Sequence, residues 1–308
     1  MLGRNFVRKI VPIRTYLCAF LSRNTLIPID HNKQTTTPAE QMSLFHLILV
    51  AIIQGVTEFL PVSSSGHLIL LPGLSGASDQ GLAIDVAVHL GTLGAVILYF
   101  WSDVKQALAG LPEVLTGRLD TPKAQLAFGL VVATIPTVIV GAILYLSGLQ
   151  QSLRSIAVIG WTMLGFGLLL YWMDQKGAQT KHASDWGIRD AVIMGLWQVL
   201  ALVPGTSRSG ITITGARQLG YTREDGARIA MLMSIPTILA SGALLSVDVI
   251  QDANWDLAKD GVIAAAFAFV AALLALSLMM RLLRSVSFTP YVIYRVILGA
   301  ILLVIAYS

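Results

Sequence analysis

Six stretches of about twenty residues, at roughly 81–101, 124–146, 155–173, 228–247, 261–283 and 290–307, run almost without interruption by charge. Each is long and apolar enough for a helix to cross about 30 Å of hydrocarbon. This one feature commits the chain to an all-α, polytopic integral membrane protein. Composition agrees, since 55% of the 308 residues are apolar and 12% are charged, where soluble domains carry about 25% charge. The lone cysteine, Cys18, rules out a disulfide framework and a Cys-based metal cluster. A net charge of +4 belongs with loop orientation in a bilayer rather than with nucleic acid.

Two further apolar stretches, 44–60 and 190–203, are shorter, and each runs into a motif rich in Pro, Gly and Ser: QGVTEFLPVSSSGH (54–67) and PGTSRSG (204–210). Helices of that length reach only about 21–26 Å, so both are expected to stop inside the membrane. The segments 102–123, 174–189, 216–228 and 281–289 hold eleven Lys and Arg, whereas 74–80, 147–154 and 248–260 hold two, the last with four aspartates. The first set is therefore placed in the cytoplasm. Because 174–189 and 216–228 share a side, 190–215 must enter and leave by one face, as a re-entrant hairpin. The 44–72 segment is then a hairpin entering from outside. Gln54 and Gln198, Ser63 and Ser207, Ser65 and Ser209, and Gly66 and Gly210 coincide at one offset of 144. The expected plan is six transmembrane helices plus two hairpins in an inverted repeat, with halves at about 44–173 and 190–308, a layout that places a site near the midplane.

Residues 1–41 read differently. They hold Arg4, Arg8, Lys9, Arg14, Arg23 and Lys33 and no acid before Asp30, and Pro12 and Arg14 interrupt the one apolar run. They form neither a good span nor a signal peptide. The expectation is a mobile extension or an upstream start-site artefact, with the membrane domain spanning 42–308 and starting at Met42.

Irregular backbone at membrane depth is tolerated only where protein buries it or where it lines a wet cavity. Pro61, Gly66, Pro204, Gly205 and Gly210 break helix within the apolar zone. Broken ends aim N–H groups and partial positive charge inward, a natural anion site. Ser63, Ser64, Ser65, Thr206, Ser207, Ser209 and Thr212 add hydroxyls there. Arg208 adds a permanent charge with forked donors suited to phosphate. Glu58 and His67 turn the anion site into a candidate reaction centre. Gln54 and Glu58, four apart, share a helix face, and a carboxylate at that depth is costly enough to be a functional candidate. His67 is the candidate general acid or base. Blander readings compete: a structural Glu58–Arg208 ion pair, a His67 satisfied by a carbonyl, and serines bonded to their own backbone. The last is the expectation for Ser63, Ser65 and Thr206.

Other polar residues carry less. Asp85 and His89, four apart, line the cavity, bind a cation or simply hydrogen-bond to one another. Arg295 is expected to snorkel to headgroups. Trp101, Trp172 and Trp255 fall near membrane interfaces, and Met231 and Met233 read as packing. No Walker loop, zinc-type HExxH or dinucleotide glycine pattern is present in a usable context.

The two motifs resemble those of the bacterial undecaprenyl-diphosphate phosphatase family, also called the bacitracin-resistance protein family. Its pattern of Glu or Gln, three residues, Glu, then a Ser-rich turn and His matches Gln54–Glu58 and PVSSSGH (61–67). Its PGxSRSxxT matches PGTSRSGIT (204–212), and HLGTLGAV (89–96) and FTPYVIYR (288–295) extend the resemblance from about Leu44 to the C-terminus. The resemblance implies hydrolysis of undecaprenyl diphosphate to the monophosphate lipid carrier and inorganic phosphate, serving peptidoglycan synthesis and bacitracin resistance. It implies six spans with two re-entrant pairs in the bacterial plasma (inner) membrane, a site opening to the periplasm, and a divalent cation, Mg²⁺ or Ca²⁺, with Glu58 its candidate ligand. Carried over by position, Glu58 is the essential carboxylate, Ser64 the nucleophile candidate, His67 the acid/base and Arg208 the phosphate clamp. Gln54, Ser63, Ser65, Gly205, Ser207, Ser209 and Thr212 are the candidate substrate contacts. Some members have Glu where this chain has Gln54, which makes Gln54 a hydrogen-bonding or water-positioning group. Expected partners are the polyprenyl diphosphate, membrane lipids and a second copy in a homodimer, without nucleic acid.

The rival function is a transporter or flippase of polyprenyl phosphate or another anion, since inverted repeats and broken helices are usual there. A carboxylate beside the anion favours chemistry over carriage. A second membrane phosphatase superfamily also uses SGH-like and SR-like motifs, but its catalytic histidine would fall at 214, which is Thr214.

Overall fold

Helix boundaries fall where the sequence carries caps and prolines. The computed structural model describes residues 43–68, 71, 81–252 and 255–308. The extension expected over 1–41 and the loop at 74–80 lie outside the described residues. Helix α1 (Leu44–Phe59) starts at Ser43, whose Oγ accepts the His46 N–H at 3.2 Å. It stops at Leu60, which precedes Pro61 and takes extended backbone (φ −68°, ψ 142°). After a short break comes α2 (Ser64–Leu68). The chain continues through α3 (Gly81–Tyr99), α4 (Trp101–Leu115), α5 (Pro122–Ser147) and α6 (Ile156–Lys176). Then follow α7 (Ile188–Val199), α8 (Arg208–Gln218), α9 (Arg223–Asp252), α10 (Trp255–Leu282) and α11 (Thr289–Tyr307). Thr121 and Ser155 cap α5 and α6, and Gly148 ends α5 in the left-handed region at φ +70°.

Helices α3, α5, α6, α9, α10 and α11 are long and apolar enough to cross a membrane, in the six places read from the sequence. The protein is a multi-pass, all-helical membrane protein. Trp101, Trp172 and Trp255 are exposed, and Met231 and Met233 are fully buried. One expectation is corrected: 102–123 is not simply a loop, because α4 occupies most of it. Trp101, Val104, Leu108, Leu111 and Leu115 line one face at helical spacing. Asp103, Lys105, Gln106, Pro112 and Glu113 outside that stripe make the segment too polar for a span, so it reads as polar connection.

All four basic segments come to one end. Arg228 of α9 pairs with Asp103 of α4. Arg217 and Arg223 both reach Asp174 at the end of α6, at 3.1 and 2.8 Å. Arg284 bonds Glu224 at 3.1 Å, and the Phe288 N–H donates to Asp174. Arg217 is fully buried and also donates to the carbonyls of Asp174, Gly177 and Tyr221. Removing one partner of such a pair costs about 3–5 kcal/mol, so this end is firmly closed. Nearby, Tyr221 donates to Asp190 at 2.6 Å. Burial, reinforced by that bond, pushes its phenol well above the ordinary tyrosine range.

At the same end Thr180 and Lys181 donate to the Gly220 carbonyl, and Thr222 donates to that of Lys181. The chain entering α7 and the chain leaving α8 therefore lie side by side. At the opposite end Leu71 shares a buried cluster with Leu47, Ile84, Val88 and Ala264, so the chain after α2 returns to where α1 began. Small residues let these helices approach closely. A Cβ on Gly55 would lie 2.6 Å from the Ala268 carbonyl of α10, and one on Gly195 2.6 Å from the Ala133 carbonyl of α5. Helix α1 thus lies against α10 as α7 lies against α5.

Candidate active site

Both breaks are built alike. Leu60 and Val203, each before a proline, are extended, which stops α1 and the turn after α7. Ser63 and Ser207 then take positive φ, 72° and 68°. For a residue with a Cβ this conformation is strained, and such strain concentrates at functional sites. Ser63 and Ser65 hydroxyls lie 3.0 Å apart, and those of Ser207 and Ser209 lie 3.1 Å apart. The offset seen in sequence is thus a local conformation used twice.

The two breaks are sewn together. Ser209 donates to the Leu60 carbonyl at 2.9 Å, and the Gly205 N–H donates to Ser65 at 3.1 Å. Gly205 sits at φ +86°, and a Cβ there would lie 2.2 Å from Thr162 Oγ1, so only glycine fits. Thr162 itself donates to the Pro204 carbonyl. Arg295 is not at a headgroup. It is fully buried and donates to carbonyls on both breaks, Thr206 at 2.8 Å, Gly205 at 3.2 Å and Pro61 at 3.5 Å, besides Met163 and Thr162 of α6. The snorkelling expectation fails because carbonyls freed by the two breaks offer this guanidinium more acceptors than the interface does.

Glu58 ends α1 beside this junction and is buried. Its Oε2 accepts from Gln54 Nε2 at 2.7 Å and from Ser64 Oγ at 3.2 Å, and its Oε1 accepts from Arg208. Arg208 opens α8 and spends its other arm on the Ser234 carbonyl at 3.2 Å. The structure therefore brings Gln54, Glu58, Ser64 and Arg208 together. The ion pair weighed as a merely structural alternative is made, but a serine hydroxyl shares its carboxylate.

His67 stands apart from that cluster and shares no hydrogen bond with Glu58 among the described residues. Its Nδ1 lies 2.7 Å from the Ser63 carbonyl and its Nε2 lies 2.6 Å from the Tyr294 hydroxyl, with the rings stacked at 5.5 Å. The carbonyl fixes the proton on Nδ1, so Nε2 accepts from Tyr294. Ser63 and Ser65 bond each other rather than their own backbone, and Thr206 Oγ1 has no partner among the described residues. Ser207 caps α8 by accepting from the Gly210 N–H, and Thr212 bonds back to Arg208 and Ser209. Thr214 bonds back to Gly210. Of the candidate substrate contacts, Gly205, Ser209 and Thr212 thus serve the scaffold and Gln54 faces the carboxylate, as do the catalytic candidates Arg208 and Ser64.

In the sequence His89 stands out beside Asp85, with lining the cavity one of its readings, and as the first residue of HLGTLGAV (89–96). The structure sets its Nε2 3.1 Å from Gln54 Nε2 and 3.8 Å from Glu58, with Nδ1 held by the Asp85 backbone carbonyl at 2.6 Å. Spacing along one helix cannot show which face of another helix it meets.

Among the described residues no group of three or more His, Cys, Asp or Glu is placed to hold a metal. The oxygens at hand are the Glu58 carboxylate, the Ser64 hydroxyl and the buried Gln54 carbonyl, which has no partner among the described residues. Such a set fits a hard dication carried mainly by substrate phosphates and touching one carboxylate, not a cage made by protein alone.

Comparison with known proteins bears on this site. Residues 47–301 match the family described as bacitracin resistance protein BacA. A protein named undecaprenyl-diphosphatase from Ruegeria pomeroyi is 74% identical over 267 residues, covering 87% of this chain and all of the relative. One of the same name from Jannaschia sp. is 69% identical over 267 residues, again 87% of this chain and all of the relative. Undecaprenyl-diphosphatase 1 of Rhodospirillum rubrum is 46% identical over 274 residues, covering 86% and 96%.

Proposed function

The chain belongs to the bacitracin resistance protein BacA family, and on that premise we propose that it hydrolyses undecaprenyl diphosphate to undecaprenyl phosphate and inorganic phosphate, returning the lipid carrier to peptidoglycan synthesis and conferring bacitracin resistance. The observation that carries the reading is Ser64 hydrogen-bonded to a Glu58 carboxylate whose other oxygen is held by Arg208. A nucleophile, its proton acceptor and a phosphate-binding cation meet at one point.

The terminal phosphate competes with Glu58 for Arg208. As Arg208 turns to the phosphate oxygens, Glu58 is freed to take the Ser64 proton. Ser64 Oγ bonds the terminal phosphorus, and the bond from that phosphorus to the bridging oxygen breaks. Undecaprenyl phosphate leaves with the electron pair. Glu58 passes that proton to the departing phosphate oxygen. Water then attacks the phosphoserine, Glu58 takes a proton from the water, and the Ser64 oxygen leaves with that proton as inorganic phosphate forms. Arg208 and the first N–H groups of α8 face the charge that develops in both steps. His67, held between Ser63 and Tyr294, exchanges protons with product and water. A bound Mg²⁺ or Ca²⁺, with Glu58 as its protein ligand, would neutralise part of the diphosphate charge.

The same reading makes α1–α2 and α7–α8 re-entrant hairpins related by an inverted repeat, with the site opening to the periplasmic side of the inner membrane. The twin positive-φ serines and the matching placement of α1 on α10 and α7 on α5 support it. So does the gathering of the basic segments at the end where α7 enters.

Phosphate release from undecaprenyl diphosphate by the purified protein in detergent, with metal supplied and with Glu58→Ala and Arg208→Ala as controls, tests the assignment. No release by the unaltered protein, or equal release by both variants, overturns it. Ser64→Ala is expected to lower turnover by at least about 10²-fold and to abolish labelling of the protein by substrate carrying a radioactive terminal phosphate. Undiminished turnover would replace the phosphoserine with a water activated by Glu58.

A further inference from the structure

Gln54 Nε2 makes two contacts whose directions constrain each other. An ionised Glu58 only accepts hydrogen bonds, so Gln54 must turn its nitrogen, not its oxygen, towards Oε2 at 2.7 Å. The same nitrogen lies 3.1 Å from His89 Nε2. An amide nitrogen only donates, so His89 Nε2 must accept. That requires the imidazole proton on Nδ1, where the Asp85 carbonyl stands at 2.6 Å to receive it. Every donor in this run meets an acceptor, from the Asp85 backbone through His89 and Gln54 to Glu58 and Ser64. Both N–H groups of the Gln54 amide are used, which stops its rotation. Without His89 one buried N–H would lack its acceptor, and Glu58 Oε2 would lose the fixed donor that keeps it turned to Ser64.

We propose that His89 is a positioning residue of the hydrolase, acting through Gln54 to hold Glu58 in line with Ser64. The inference rests on the reading of Glu58 as the acceptor of the Ser64 proton. His89 is 3.8 Å from Glu58, too far to bond it directly, and the imidazole works by its lone pair. Its side chain is 39% exposed, so it is not needed to fill the core.

The test is a double-mutant cycle on phosphate release from undecaprenyl diphosphate by the full chain in detergent. His89→Ala is expected to lower kcat about 3- to 10-fold, the worth of one neutral hydrogen bond, with KM and the thermal midpoint little changed. His89→Gln, which still offers an acceptor, is expected to recover most of the loss, and His89→Leu none of it. In a Gln54→Ala background His89→Ala is expected to cost nothing further. Equal losses in both backgrounds, full activity of His89→Ala, or equal activity of the Gln and Leu variants overturns the proposal. If His89→Ala cannot be purified, the Gln and Leu variants carry the same contrast. Failure of the unaltered protein to release phosphate would instead defeat the underlying reading, so the two failures are told apart.

Discussion

Arg208→Ala is expected to lower kcat/KM for phosphate release from undecaprenyl diphosphate by about 10³-fold, on the scale of losing a principal donor to transition-state charge. Arg208 is the one Arg or Lys paired with Glu58 among the described residues, so no neighbouring guanidinium or ammonium substitutes for it. Two effects add. The phosphate loses its forked donor, and Glu58, buried and accepting from Arg208, loses its counter-charge. Arg208→Lys separates them, because an ammonium keeps the charge but not the fork that spans Glu58 and the Ser234 carbonyl. It is expected to keep the thermal midpoint close to that of the unaltered protein and still lose about 10²-fold in kcat/KM. Steady-state kinetics beside thermal unfolding in the same detergent checks this. A Lys variant with full activity would show that Arg208 acts as a point charge only.

Arg295→Met should have the other large effect, by a different route. Arg295 touches none of the groups assigned to chemistry, yet it donates to Pro61 on the first break and to Gly205 and Thr206 on the second. Each buried carbonyl left without a donor costs about 1–3 kcal/mol, and at least three lose theirs. A methionine fills part of the volume and satisfies none of them. The expected result is a markedly lower thermal midpoint and activity down by at least about 10²-fold, since a displacement near 1 Å at a reacting centre costs that much. Arg295→Lys reaches fewer carbonyls and should fall between. An unchanged midpoint with full activity would show that the two breaks hold their shape without this clamp.

The two arginines were legible in the sequence to different degrees, and the difference is physical. Arg208 sits inside a motif whose other residues break a helix at the end of an apolar run, so its surroundings could be argued from its own neighbours in the chain. Arg295 sits in an apolar helix that ends in water, where snorkelling is the cheaper fate for a lone cation. The partners that reverse this come from positions 61, 162, 163, 205 and 206, and no local pattern announces them. The same holds for His89. Its sequence neighbour Asp85 contributes a backbone carbonyl, while its functional partner Gln54 belongs to a helix that only packing brings near. Tyr294, lodged in a stretch read as an ordinary span, likewise proved to be the partner of His67.

Apolar run length and charge alone determined the six spans and two shorter broken segments, because a bilayer tolerates few other arrangements of such residues. The offset of 144 aligned Ser63 with Ser207, and the structure gives both a positive φ. Rotation of helices about their axes decided the rest. That rotation set Ser64 and Arg208 on the two oxygens of Glu58, left His67 facing Tyr294, and buried Arg295 between the breaks. It depends on close contacts such as Gly55 on α10 and Gly195 on α5. A sequence records the small residue at such a contact but not the surface it meets.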